Sequence, residues 1–294
     1  MKNTLLIIIA LIITAIYFSG CKLDSTRTIV PEDGQRVVAY IMESDRYLFK
    51  QSNYRLKVEG MVIASPLPRF DHFKIDQSIY NSAANYSLKP GYIHFYLTPQ
   101  QASDIHLYNS AYFEVSTDFG HIFGNQSRPP LISDIKINGT EADYSPLNIH
   151  NAQIVLSDKL EVSWDYNDEK PDFLWIYGYY SYHDGFTDRV MKIDEYVRSS
   201  VSSFRLFNTG VLQWDGRVNF NIEPYNGPIP TNGSASNMSG DGHGTLYWSH
   251  LPDYCELEVK VGSGYFKSQS DRVKEKIGLM RNSFLENIIM GEFK

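Results

Sequence analysis

Leu160-Glu161-Val162-Ser163-Trp164-Asp165 and, after a polar stretch, Phe173-Leu174-Trp175-Ile176-Tyr177-Gly178-Tyr179-Tyr180-Ser181-Tyr182 decide the fold class of this chain. In the first run Leu160, Val162 and Trp164 alternate with Glu161, Ser163 and Asp165, the two-residue period of a half-buried strand. The second is dominated by aromatic and β-branched residues, which suit a pleated surface. Runs of the same length and composition lie on either side. They cover 131–138, 189–196, 202–208, 217–223 and 256–261, and earlier 37–41, 55–63, 91–97 and 111–117. Asn, Pro, Ser and Asp punctuate them, as turn formers do between strands. Aromatic residues make up 14% of the chain, with 21 Tyr and 16 Phe, so the expected class is all-β.

Gly124-Asn125-Gln126-Ser127-Arg128-Pro129-Pro130 reads as a linker, because two prolines remove backbone donors and bias the preceding residues toward extended geometry. It divides the body into two expected β-sandwich domains in tandem, 35–128 and 129–267. The second resembles a fibronectin type III domain. The resemblance rests on the opening Pro130-Leu131-Ile132, on the strand 160–165 with its tryptophan, and on Phe220-Asn221-Ile222-Glu223-Pro224-Tyr225-Asn226-Gly227. The insert 228–244 departs from that pattern, and its Gly-rich part, 232–244, reads as a mobile loop. From Ser270, a candidate N-cap, Val273, Ile277, Met280, Phe284 and Ile288 recur at spacings of four and three. That period predicts an amphipathic helix over 271–290, within a C-terminal segment 268–294.

At the other end, Lys2 precedes an unbroken apolar run from Leu5 to Phe18, then Ser19-Gly20-Cys21 and polar residues. This is the layout of a secretory signal, and the run is too short to read as a spanning helix of about 20 residues. Phe18-Ser19-Gly20-Cys21 resembles the lipobox of bacterial lipoproteins, although Phe18 stands where the family usually has leucine or another aliphatic residue. The resemblance implies a signal peptide of 1–20, lipidation of Cys21 and a tether over 21–34. It implies attachment to a bilayer through acyl chains worth about 0.8 kcal/mol per buried methylene. Lys22 rather than aspartate after the cysteine implies onward sorting to the outer membrane of a Gram-negative envelope.

Composition removes some function classes. Without 1–20 the chain carries 26 basic and 34 acidic residues, net −8, with no Lys/Arg cluster, so nucleic acid is not an expected partner. With Cys21 lipidated, Cys255 alone remains and no intramolecular disulfide can form. The eight histidines form no His-x-x-x-His pair, and no Gly-x-Ser-x-Gly elbow occurs. His183-Asp184 reads as a polar turn with a proton-transfer alternative. Asp165, Asn167 and Glu169 alternate in a loop that offers oxygens to Ca2+, the one cofactor considered, with a solvated acidic turn as the alternative. An EF-hand count from Asp165 fails, since Lys170 stands at the required glycine and Ile176 at the closing glutamate.

Trp175, Tyr177 and Tyr179 on one face of a strand, with Tyr180 and Tyr182 on the other, leave one aromatic row free if only one face is core. Such a row stacks on sugar C–H groups, and Tyr92, His94 and Tyr96 form a second candidate row. Cross-strand tyrosine pairs that stabilise a sheet are the alternative. The leading functional expectation is a non-enzymatic envelope lipoprotein that binds or spaces a protein partner or a glycan. A carbohydrate-active enzyme or polysaccharide-processing accessory is the competing one, since glycosidase carboxylates converge only on folding.

Overall fold

The computed structural model describes residues 35–46, 55–65, 70–76, 78–80, 86–89, 92–96, 109–141, 150–167, 169–230, 236–252 and 256–263. Among them there is no helix, and the chain is all-β. In chain order the strands are β1 (Gln35–Arg46), β2 (Arg55–Ser65), β3 (Phe70–Ile75), β4 (Ser78–Tyr80), β5 (Tyr86–Lys89), β6 (Tyr92–Tyr96), β7 (Ser110–Thr117), β8 (Gly120–Ser127), β9 (Ile132–Ile137) and β10 (Thr140–Glu141). They continue as β11 (His150–Ile154), β12 (Leu160–Tyr166), β13 (Phe173–His183), β14 (Asp188–Arg198), β15 (Ser203–Phe207), β16 (Gly216–Asn226), β17 (Ser239–Gly240), β18 (Gly242–Pro252) and β19 (Glu256–Val261). The signal segment, Cys21 and the expected C-terminal helix lie outside the described residues.

Three sheets form. A ten-stranded one runs β11-β19-β16-β18-β1-β2-β6-β5, with β13 on the other edge of β16 and β14 beyond β13. A four-stranded sheet runs β10-β9-β12-β15 and a five-stranded one β17-β8-β7-β3-β4. Pairing is antiparallel except for β1 with β18 and β11 with β19. Long β16 organises the large sheet: residues 216–221 pair with β19, and Tyr225 and Asn226 pair with Ser249 and Trp248 of β18.

Alternation along each strand feeds three cores. Leu174, Ile176 and Tyr180 of β13 and Val218, Phe220 and Ile222 of β16 pack on Ile135, Val162 and Trp164 of the four-stranded sheet. Val37, Ala39 and Ile41 of β1, with Leu246 and Trp248 of β18, pack on Phe73, Phe113, Val115 and Ile122 of the five-stranded sheet. The opposite parity, Val38, Tyr40, Met42 and Tyr247, meets Phe173, Trp175, Tyr177 and Tyr225 in a third core. Both faces of β13 are therefore buried, contrary to the expectation that only one face is core. The large sheet is sandwiched on both sides, as near-continuous apolar strands demand. Gly178 makes the tight β13–β16 contact possible, since a Cβ there would come within 2.1 Å of Asn219 O and 2.5 Å of Phe220 Cα.

Two stretches differ from their sequence reading. The residues 124–127, expected in a linker, are the end of β8, where the ladder to β7 satisfies the backbone and Asn125 and Ser127 face solvent. The insert 228–244 is in part fixed structure. Met238 is buried against β8, and Asn237 holds Leu246 through both its amide oxygen (2.7 Å) and its amide nitrogen (2.9 Å). The insert leads into β18, which pairs with β1 from Gln35↔Gly242 to Asp45↔Pro252. Strands from both sides of Arg128-Pro129 thus share one sheet.

Candidate functional site

The outward face of the five-stranded sheet gathers partly buried and exposed groups of mixed chemistry. On β7, Ala111, Phe113 and Val115 point into the core, which turns Tyr112 and Glu114 outward. The same period turns out His72 and Lys74 of β3, and His121, Phe123 and Asn125 of β8. Register sets them side by side, Lys74↔Glu114↔Phe123 in one row and His72↔Ser116↔His121 in the next.

Glu114 is the centre of this face. One carboxylate oxygen, Oε2, accepts from the Tyr112 hydroxyl (3.0 Å) and lies 3.5 Å from Lys74 Nζ. The other, Oε1, lies 3.4 Å from His121 Nδ1 and 3.7 Å from His72 Nε2. His72 Nδ1 in turn lies 3.1 Å from Asp71 Oδ2. Burial works against ionisation of Glu114, but the Tyr112 hydroxyl, the Lys74 charge and His121 outweigh it and bring the carboxyl below its usual range. Burial, the bond to Glu114 and its charge raise Tyr112 correspondingly. The result is a fixed, ionised acceptor. Beside it the Tyr112 and Phe123 rings stack with centroids 6.1 Å apart and planes inclined by 30°, and Phe123 is 39% exposed.

Two other carboxylates are sealed. Glu43 and Glu223 are both fully buried, on opposite faces of the large sheet. Glu43 accepts from Trp248 Nε1 (2.8 Å) and from Arg128 Nε (3.1 Å) and Nη2 (3.0 Å), while Arg128 Nη2 also reaches His250 Nδ1 (3.0 Å). Glu223 accepts from the hydroxyls of Tyr177 (2.9 Å) and Tyr40 (3.4 Å), and Asn221 Nδ2 donates to the Tyr177 oxygen at 3.1 Å. These bonds satisfy buried charge and polarity, the condition for keeping such groups in a core. No protein-family model matches the sequence, and no curated protein does. The chemistry of these clusters is therefore read from their own geometry.

The sequence-derived site residues fall elsewhere. Trp175 and Tyr177 are 1% and 0% exposed, with rings stacked at 3.7 Å, and Trp175 Nε1 donates to Asp194 (2.8 Å). Tyr179 is half-buried, and burial raises its hydroxyl pKa. That row is in the third core because β1 and β18 cover it. Tyr92, His94 and Tyr96 lie on β6, paired with β2 and β5, and their side chains lie outside the described residues. Asp165, Asn167 and Glu169 are exposed, and Asn167 Oδ1 accepts from the Ser133 hydroxyl at 3.0 Å. Among the described residues no group of three His, Cys, Asp or Glu side chains is arranged to hold a metal ion. Asp184 builds the β13–β14 turn by accepting from Phe186 N (3.0 Å), Thr187 N (2.9 Å) and Arg189 Nε (2.7 Å).

The Glu114 face escaped the sequence because its histidines are far apart along the chain and β3 and β8 were not recognised. Its one legible signal was the alternation of His121, Phe123 and Asn125 with Ile122 and Gly124.

Proposed function

We propose that the chain is a lipid-anchored, non-catalytic binding module of a bacterial cell envelope, held through Cys21 and recognising a glycan on the outer face of the five-stranded sheet. The observation that carries the recognition is the half-exposed Tyr112–Phe123 ring pair beside Glu114, His72 and His121. A sugar offers apolar C–H faces to rings and hydroxyls to fixed acceptors and donors, and this face has both at adjacent positions. Binding is favoured over hydrolysis, since a glycosidase needs a second carboxyl kept protonated across from an ionised one, and the two other clustered carboxylates described, Glu43 and Glu223, are fully buried away from Glu114.

The anchor rests on the sequence Phe18-Ser19-Gly20-Cys21 and its resemblance to a lipobox. The body presenting the site is two β-sandwiches. In the second, β9, β12 and β15 face β14, β13, β16 and β19, an order that resembles a fibronectin type III domain. Its departure is the β17–β18 insert between the last two strands, which reaches across to the first sandwich.

Affinity electrophoresis through gels containing envelope polysaccharides tests the recognition. Wild type is retarded by one of them, and Phe123→Ala weakens that retardation roughly three- to tenfold, the worth of one aromatic contact. Migration unaffected by every polysaccharide, in wild type and variant alike, removes the glycan reading and turns the search to protein partners. The anchor is tested separately by intact mass of membrane-extracted protein beside Cys21→Ala. Loss of residues 1–20 with an acyl-sized gain in wild type alone is the expected result.

A further inference from the structure

Sheet edges in this body are short, with one exception. Among the described strands the outermost are β4, β5, β10, β11, β15 and β17, none longer than five residues, and β14. Strand β14 runs eleven residues and pairs with β13 alone, in unbroken register from Phe173↔Arg198 to His183↔Asp188. An edge strand presents every second N–H and C=O outward, and proteins ordinarily shorten such an edge, bulge it or interrupt it with proline. Strand β14 has neither bulge nor proline. Its protection is charge alone, with Asp188, Arg189, Lys192, Glu195 and Arg198 exposed.

Those charges are complementary to themselves. Two copies joined edge to edge about a two-fold axis run antiparallel, and because the axis is perpendicular to the sheet, each residue meets one of its own parity. With the axis at Ile193, Asp188 of one copy faces Arg198 of the other, Lys192 faces Asp194, Val190 faces Tyr196, and Ile193 faces itself. Opposite charges and aromatic–β-branched pairs set directly opposite stabilise a ladder. Lys192 is already ion-paired with Asp194 of its own strand, so four alternating charges close around the axis. Centring the axis on Lys192 or on Asp194 instead sets two like charges against each other, which destabilises the ladder. The ends agree with the middle. The axis at Ile193 brings the β13–β14 turn, where Phe186 is 90% exposed, beside the β14–β15 turn of the other copy, where Val201 is 43% exposed.

We infer that this edge is a surface for a second copy of the chain, with β14 pairing to β14 about Ile193 and continuing the large sheet through both molecules. The outward amides and carbonyls of the two strands then satisfy each other, while Ile193 and Val197 keep their places in the core of each copy. One strand and two turns from each side make an interface at the low end of the specific size range, so a dissociation constant on the order of 10–100 µM is expected. This inference is independent of the glycan reading, since β14 belongs to the large sheet and the Glu114 face to the five-stranded one.

The test is sedimentation velocity on the full chain lacking only the signal and acyl group. Wild type passes from monomer to dimer, and no further, as its concentration rises through that range. Arg198→Asp sets two carboxylates against each other at both ends of the ladder and weakens the dimer about tenfold, and the exchange Asp188→Arg/Arg198→Asp restores it to within about twofold. Both positions are exposed, and a merely structural role for either would not be rescued by exchanging them. Hydrogen exchange of wild type, which needs no variant, slows at residues 188–198 on concentration. Wild type that stays monomeric at about 300 µM overturns the inference. So does a dimer that Arg198→Asp leaves unaltered or that the exchange fails to restore, which marks another face, or growth past the dimer, which marks an open assembly in place of a two-fold pair.

Discussion

Replacing Arg128 with methionine removes two guanidinium donors, 3.0 and 3.1 Å from one oxygen of a carboxylate with no solvent exposure. Breaking a buried ion pair from one side costs about 3–5 kcal/mol, chiefly because the remaining charge stays desolvated. The Arg128 side chain is 22% exposed, so its own desolvation is incomplete and the lower end, about 3 kcal/mol, applies. In a body of this size each kcal/mol moves Tm by about 2–4 °C, giving a fall of about 6–12 °C. The second arm of the cycle is more diagnostic. Glu43→Gln keeps an acceptor for Trp248 Nε1 and removes the charge, so the Arg128→Met/Glu43→Gln double variant should be more stable than Arg128→Met alone. Thermal melts followed by near-ultraviolet circular dichroism measure all four corners. A loss below about 1 kcal/mol in Arg128→Met, or a double variant no better than that single one, refutes the buried-charge argument.

Gly178→Ala should lose about 3 kcal/mol in urea unfolding, the upper end for overpacking, because its methyl group would meet the backbone of Asn219 and Phe220 and no flexible side chain. The lowered Glu114 carboxyl stabilises the fold above its ordinary titration range and loses that contribution as pH falls through its folded value. Urea unfolding from pH 6 to pH 3 should therefore decline less steeply in Glu114→Gln than in wild type. Burial pushes the Tyr180 hydroxyl, which donates to Trp214 O, up to about 12. The stabilisation is complete below the unfolded tyrosine value near 10 and fades as pH rises toward 12. Alkaline unfolding monitored by tyrosinate absorbance should begin later in Tyr180→Phe.

Eleven strands were legible from alternation alone, from 37–41 to 256–261, because their side-chain chemistry and their pairing agree. Those missed have physical reasons. β4 and β5 are short, β3 breaks its alternation at the register shift between Phe70 and His72, β8 ends in polar residues beside two prolines, and β18 opens Gly242-His243-Gly244, which locally resembles a loop. Strand β18 is held by tertiary partners, β1 along its whole length and Asn237 at Leu246, which no local pattern encodes. The aromatic row on β13 misled because alternation gives parity but not cover. Which face meets solvent depends on β1 and β18, strands distant in the chain. The Glu114 cluster joins three strands by register, so its residues were visible but their meeting was not.

The parallel ladder of β1 with β18 has a consequence for how the protein is made. Val37 leaves the ribosome long before its partner Gly244, and until residues 236–252 follow, the core under the five-stranded sheet lacks Met238, Leu246 and Trp248. During that interval β1 has an open edge, the kind of surface that recruits chaperones or pairs with the wrong chain. Closure must bring together the most distant parts of the body, a slow, high-contact-order step. A product that ends before residue 236 lacks both β18 and β19, so β1 and β16 are left without those neighbours in the large sheet. The strands around β16 therefore keep unpaired edges until residues up to 261 have been made.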